Sequence, residues 1–102
     1  MEKTKYEIVD NVLIIHVNGD LDHHSALKIR KVADEKIYEN VVKDIIFDFE
    51  NTEFMDSSGI GVIMGRYKMV KSIGGKVYVT NVKRNIDKII TFSGLNKIIE
   101  RC

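Results

Sequence analysis

The chain has 102 residues, 44% hydrophobic and 30% charged, with 16 Lys and Arg against 15 Asp and Glu for a formal charge of +1. That length predicts one domain over residues 1–102, burying roughly two thirds of its unfolded surface around one core and leaving no room for a second functional unit. The near-neutral balance points away from nucleic acid and anionic membranes, and Cys102, the only cysteine, has no partner for an intramolecular disulfide, which suits a reducing cytoplasmic setting. The start, Met1-Glu2-Lys3-Thr4-Lys5, is polar, with no apolar signal segment and no later run of about 18 apolar residues.

Residues 6–9 and 12–17 are mostly β-branched or aromatic and flank the turn pair Asp10-Asn11, which predicts an antiparallel hairpin. Gly19 breaks the second strand. Asp22 or Ser25 is placed to cap a helix with apolar positions Ala26, Ile29, Ala33 and Ile37, while Lys28, Arg30, Lys31, Asp34 and Glu35 are expected to face water. Asp44-Ile45-Ile46-Phe47-Asp48-Phe49 is nearly continuous apolar sequence, the pattern of a strand covered on both faces.

A second helix is expected from the Asp56 motif to about Ser72. Ile60, Ile63, Met64, Tyr67 and Val70 form its stripe, widened by Val62, Met69 and Ile73, with Gly61 and Gly65 offering close backbone approach. Gly74-Gly75 ends it, and residues 76–80 read as a short strand. Asn81 is placed to cap a last helix buried through Val82, Ile86, Ile89 and Ile90 and stopped near Ser93-Gly94; residues 95–99 then add an edge strand or dock on the core. A strand pair followed by α, β, α, β, α predicts an α/β fold: a mixed central sheet with an N-terminal antiparallel hairpin, right-handed crossovers and flanking helices.

Asp56-Ser57-Ser58-Gly59-Ile60-Gly61 places two hydroxyls at a helix start, where unpaired N–H groups and the positive pole of the macrodipole favour negative charge. Ser57 or Ser58 is a phosphoacceptor there, or one of them only caps the helix. No activating base adjoins them in sequence, so the serine is one acted upon and the protein is not an enzyme. Asp20, Asp22, His23 and His24 crowd two carboxylates and two imidazoles into one loop. Their spacing matches no zinc pattern and His16 stands alone in a strand, so a partner-recognition loop is favoured over a metal site or a metal-dependent enzyme. Asp48 or Asp56 as a phosphoacceptor aspartate lacks the acidic pair and lysine such chemistry needs, and Asp48 reads equally well as a strand residue facing a helix end.

Gly19-Asp20-Leu21-Asp22-His23-His24-Ser25-Ala26, the run from Phe54-Met55-Asp56-Ser57-Ser58-Gly59 through Gly65-Arg66-Tyr67-Lys68, Ser72-Ile73-Gly74-Gly75 and Phe92-Ser93-Gly94-Leu95 together resemble anti-sigma-factor antagonists of the STAS domain family. The likeness is nearest to the sporulation antagonists that act on the anti-sigma F factor, although Asp20 stands where they more often have glutamate. It implies a STAS fold and assigns phosphorylation to Ser57. It also implies a partner-binding surface of Asp20, Asp22, His23, His24, Asp56, Ser57, Ser58 and Gly59, and it implies no cofactor and no metal. The implied partners are an anti-sigma serine kinase with a GHKL-type ATP site and a phosphatase that resets the switch. The free protein is expected to be a monomer. A general stress-response antagonist or scaffold that binds another switch kinase is the alternative.

Overall fold

A computed structural model describes residues 3–102; Met1 and Glu2, the first residues of the polar start, lie outside the described residues. Strands β1 (Lys5–Val9) and β2 (Val12–Asn18) form the expected hairpin, with Lys5 opposite His16 and Val9 opposite Val12. Its two-residue turn needs positive φ at both central positions, and Asp10 and Asn11 adopt 50° and 67°. Helix α1 (His23–Glu39) follows, then β3 (Asp44–Asn51) and helix α2 (Ser57–Lys71). The chain continues through β4 (Val77–Thr80) and helix α3 (Arg84–Ser93), which Gly94 ends at φ 84°.

Of the two courses expected for residues 95–99, the tail takes docking on the core, and the edge strand forms just beyond them. Leu95, in a 3₁₀ turn over Leu95–Lys97, and Ile99 are buried in the core, and β5 (Glu100–Arg101) then pairs parallel with β4 as an edge strand. The cap of α3 differs from expectation. Lys83 occupies the N-cap, while Asn81 stands two residues earlier at φ 55° and donates its amide to Asp48 Oδ1 at 2.9 Å.

The sheet runs β1-β2-β3-β4-β5, antiparallel only between β1 and β2. Each parallel step moves the same way along the sheet through a crossover containing a helix, and right-handed crossovers repeated in one direction keep every helix on one face. Burial agrees: Leu13, Ile15 and Val17 of β2, Ile45, Phe47 and Phe49 of β3, and Val77 and Val79 of β4 are sealed, while their alternate neighbours are only half-buried. β3 is therefore covered on one face, not two. Its apolar run arises because Ile46 lies on the open face between Asp44 and Asp48. Against the sealed face pack Ala26, Ile29 and Ala33 of α1, Val62, Ile63 and Val70 of α2, and Ile86 and Ile90 of α3, in one core. Ile73, expected to widen the α2 stripe, lies beyond the helix end and is 60% exposed.

Candidate functional site at two paired helix starts

The loops leaving β2 and β3 are zipped together. Gly19 N–H donates to Asn51 O at 3.0 Å, Leu21 N–H to Phe54 O at 2.9 Å and Asp56 N–H to Leu21 O at 3.3 Å, with Leu21 and Met55 forming an isolated parallel bridge. The starts of α1 and α2 consequently lie side by side at the carboxyl edge of the sheet, where open α/β folds present their ligand sites.

An aspartate caps each start. Asp22 Oδ1 accepts from His24 N–H and Ser25 N–H, both at 3.0 Å, while Ser25 Oγ accepts from Asp22 N–H at 3.1 Å. Both sequence candidates thus serve, as the two halves of one capping box. The Ser25 backbone bond, with those from the Ser25 hydroxyl and His24, outweighs desolvation and holds the Asp22 carboxyl below its usual range. At α2, Asp56 Oδ1 accepts from Ser58 N–H at 2.8 Å. Neither serine is the cap. Ser57 and Ser58 are the first two helical residues, Ser57 exposed and Ser58 half-buried, and no hydrogen bond within the described residues engages either hydroxyl.

Gly59 is buried where the loops meet. A Cβ there would lie 2.5 Å from Met55 Cγ and 2.9 Å from Leu21 Cγ, so its part is to let the helix start approach the bridge. Asp20, His23 and His24 are exposed, and Asp20 uses its backbone carbonyl to accept from Ser25 Oγ at 2.7 Å. The structure thus gathers the acidic loop, both histidines and both serines on one edge. Among the described residues no group of three or more His, Cys, Asp or Glu is arranged to hold a metal, and the Asp22 carboxylate is occupied by backbone N–H groups.

The STAS domain model matches residues 3–102. The chain belongs to the STAS domain family. It is similar to an anti-sigma F factor antagonist of Paenibacillus polymyxa, 41% identical over 88 residues that make up 86% of this chain and 75% of that protein. Among solved structures it is similar to the anti-sigma factor antagonist SpoIIAA in its unphosphorylated form, with a TM-score of 0.86 and 32% identity over 97% of this chain and 87% of that one. The Bacillus cell fate determinant SpoIIAA in its phosphorylated form gives 0.77 and 32%, over 97% and 90%.

Beside its paired helix starts, this STAS domain carries a groove of about 440 Å³ between α1 and α2, which His23 and Ser58 border. Gly61 and Gly65 line it. They do not bring backbones together as the sequence predicts, for a Cβ on either would meet nothing within 4 Å. Arg66, also lining the groove, is 5% exposed; its Nε lies 3.1 Å from Asp34 Oδ1 as an ion pair, while Nε, Nη1 and that oxygen make no hydrogen bond. Desolvation, and secondarily the like charge of Arg30, lower the Arg66 pKa against the opposing pull of Asp34. Asp34 is thus turned toward α2 instead of water. The signal for Arg66 was available, since it falls four residues after Val62 and four before Val70, inside the buried stripe.

His16 is not alone either. On the open sheet face its Nε2 lies 2.6 Å from Glu7 Oε1 and its Nδ1 2.7 Å from Asp48 Oδ2. The hydrogen bonds to Glu7 and then to Asp48 raise the His16 pKa. Asp48 is partly buried, which pushes its carboxyl up, but bonds from Asn81, His16 and Glu50 N–H outweigh this and hold it below its usual range. Its oxygens are therefore engaged on the open face, not presented at a helix end. No helix among the described residues is long and apolar enough to cross a membrane.

Proposed function

We propose that this STAS domain, spanning residues 1–102, is a cytoplasmic, non-enzymatic anti-sigma-factor antagonist. In its unphosphorylated form it binds a GHKL-type anti-sigma F serine kinase, so that sigma F is released, and phosphorylation of Ser57 ends the complex. The observation that carries this reading is the Ser57 hydroxyl: exposed, unengaged and at the first position of α2, on a chain similar to an antagonist known in both unphosphorylated and phosphorylated forms.

In the transfer, Ser57 Oγ bonds to the γ-phosphorus of ATP as the bond to the bridging oxygen breaks and ADP leaves. The hydroxyl proton passes to a base on the kinase, because Asp56, the adjacent carboxylate, is committed to capping. The phosphate brings about −1.5 to −2 charges to an edge that already carries Asp20, Asp22 and Asp56. The α2 N–H groups accommodate it without a change of fold, while the partner meets a surface made markedly more anionic. A phosphatase restores the serine.

Site-resolved mass spectrometry after incubation with ATP and the cognate anti-sigma kinase tests this. One phosphate on Ser57 with dissociation of the complex is expected, and Ser57→Ala should bind the kinase and stay bound when ATP is added. Stoichiometric phosphorylation of the Ser57→Ala variant would move the acceptor elsewhere, and a wild-type protein that neither binds the kinase nor is phosphorylated would overturn the reading.

A further inference from the structure

The groove between α1 and α2 has features that helix packing alone does not explain. Glycine weakens a helix interior, and α2 carries two of them on this side, Gly61 and Gly65, with open space where each Cβ would project. Nothing in the fold uses that room. At the groove stands Arg66, more than nine-tenths buried, whose Nε and Nη1 make no hydrogen bond, nor does the Asp34 Oδ1 with which Nε forms an ion pair, although buried polar atoms are ordinarily satisfied. Arg30, exposed on α1, lines the same groove, so two guanidinium groups border it, of which Arg66 is paired with Asp34. Leu27, 57% exposed, gives the groove an apolar border.

We infer that this groove receives an acidic side chain of the kinase partner, its carboxylate held between Arg30 and Arg66 and its stem lying over Gly61 and Gly65 beside Leu27. The inference rests on the antagonist reading and names the chemistry of its partner. A planar guanidinium is suited to holding a carboxylate through paired N–H donors, and both Arg30 and Arg66 line the groove. The groove begins at Ser58, next to the phosphoacceptor. A phosphate on Ser57 therefore adds negative charge beside the end of the groove where an acidic partner enters, which links modification to release.

The affinity of the cognate kinase for wild type, Arg30→Glu, Arg30→Lys and Gly65→Leu tests the inference, with thermal melts confirming that each variant is folded. Gly65 lies eight residues from Ser57, about 12 Å along the helix, so filling the groove there leaves the acceptor region intact. Arg30→Glu should weaken binding at least about tenfold, Arg30→Lys by less, and Gly65→Leu at least about fivefold, with Ser57 phosphorylation still detectable in each complex that forms. Wild-type affinity in both Arg30→Glu and Gly65→Leu would overturn the groove while leaving the antagonist reading in place. Concentration-dependent dimerisation of the free chain, abolished by Arg30→Glu, would assign the groove to a second copy and overturn it also.

Discussion

Ser57 and Ser58 were legible in the sequence as hydroxyls at a helix start, but the residue that caps the helix was not. Aspartate and serine are comparable N-caps, and the choice is made by backbone geometry: Asp56 is extended, at φ −116° and ψ −169°, while Ser57 is already helical. The distinction matters for the switch, because a capping serine would have its oxygen engaged, whereas Ser57 at the next position is unengaged. Removing the cap with Asp56→Ala should cost about 1 kcal/mol, lowering the melting temperature by roughly 4–8 °C for a domain of this size. Asp56→Asn keeps an acceptor for Ser58 N–H and should recover most of that loss. Thermal melts of the three proteins decide it, and an Asp56→Ala variant that melts with wild type would show that the bond to Ser58 contributes nothing.

Within α2, the apolar stripe was readable from its period, whereas the roles of its glycines were not, since a glycine's neighbours are set by loops and helices distant in sequence. Gly59 and Gly61 look alike as Gly-Ile-Gly, yet one is pressed against Met55 and Leu21 and the other faces an empty groove. Opposite effects follow. Gly59→Ala forces a Cβ into side chains held by the Leu21–Met55 bridge and should destabilise by about 1–3 kcal/mol. Gly61→Ala meets no neighbour and restricts the unfolded chain, so it should stabilise by roughly 0.5–1 kcal/mol. Urea unfolding of both variants measures the two signs; if Gly59→Ala also stabilises, helix propensity outweighs packing at that junction. The Asp34–Arg66 pair was hidden for a related reason. A helical period shows which face is buried but not which charge on the next helix is waiting there.

Across the whole molecule, element order and pairing were written in the hairpin turn, the β-branched runs and the glycine stops, but the number of layers was not. An apolar run such as 45–47 is compatible with burial on either face or both, and only the steady progression of parallel strands in one direction leaves one face of the sheet open. On that open face Glu7 of β1, His16 of β2 and Asp48 of β3 tie three strands together through pairs 9 and 32 residues apart, separations that no local pattern reveals. Lys5, opposite His16, and Glu50, beyond Asp48, border the same depression. Protonated imidazole donates to both carboxylates; neutral imidazole has one N–H and leaves Glu7 or Asp48 facing a lone pair. Because the folded His16 pKa is raised above 6.5, its contribution is complete below that value and is lost as pH rises through the folded pKa. Asp48, lowered below 3.8, contributes above that value and loses its contribution as pH falls through its folded pKa. The network therefore contributes most between the ordinary carboxylate and imidazole values. Urea unfolding of wild type and His16→Gln at about pH 5.5, below the ordinary histidine value, and at about pH 9, well above it, should show a wild-type advantage that is larger at the lower pH. An advantage of the same size at both values would mean that the ring holds the strands by packing and neutral hydrogen bonding, not as an imidazolium between two carboxylates.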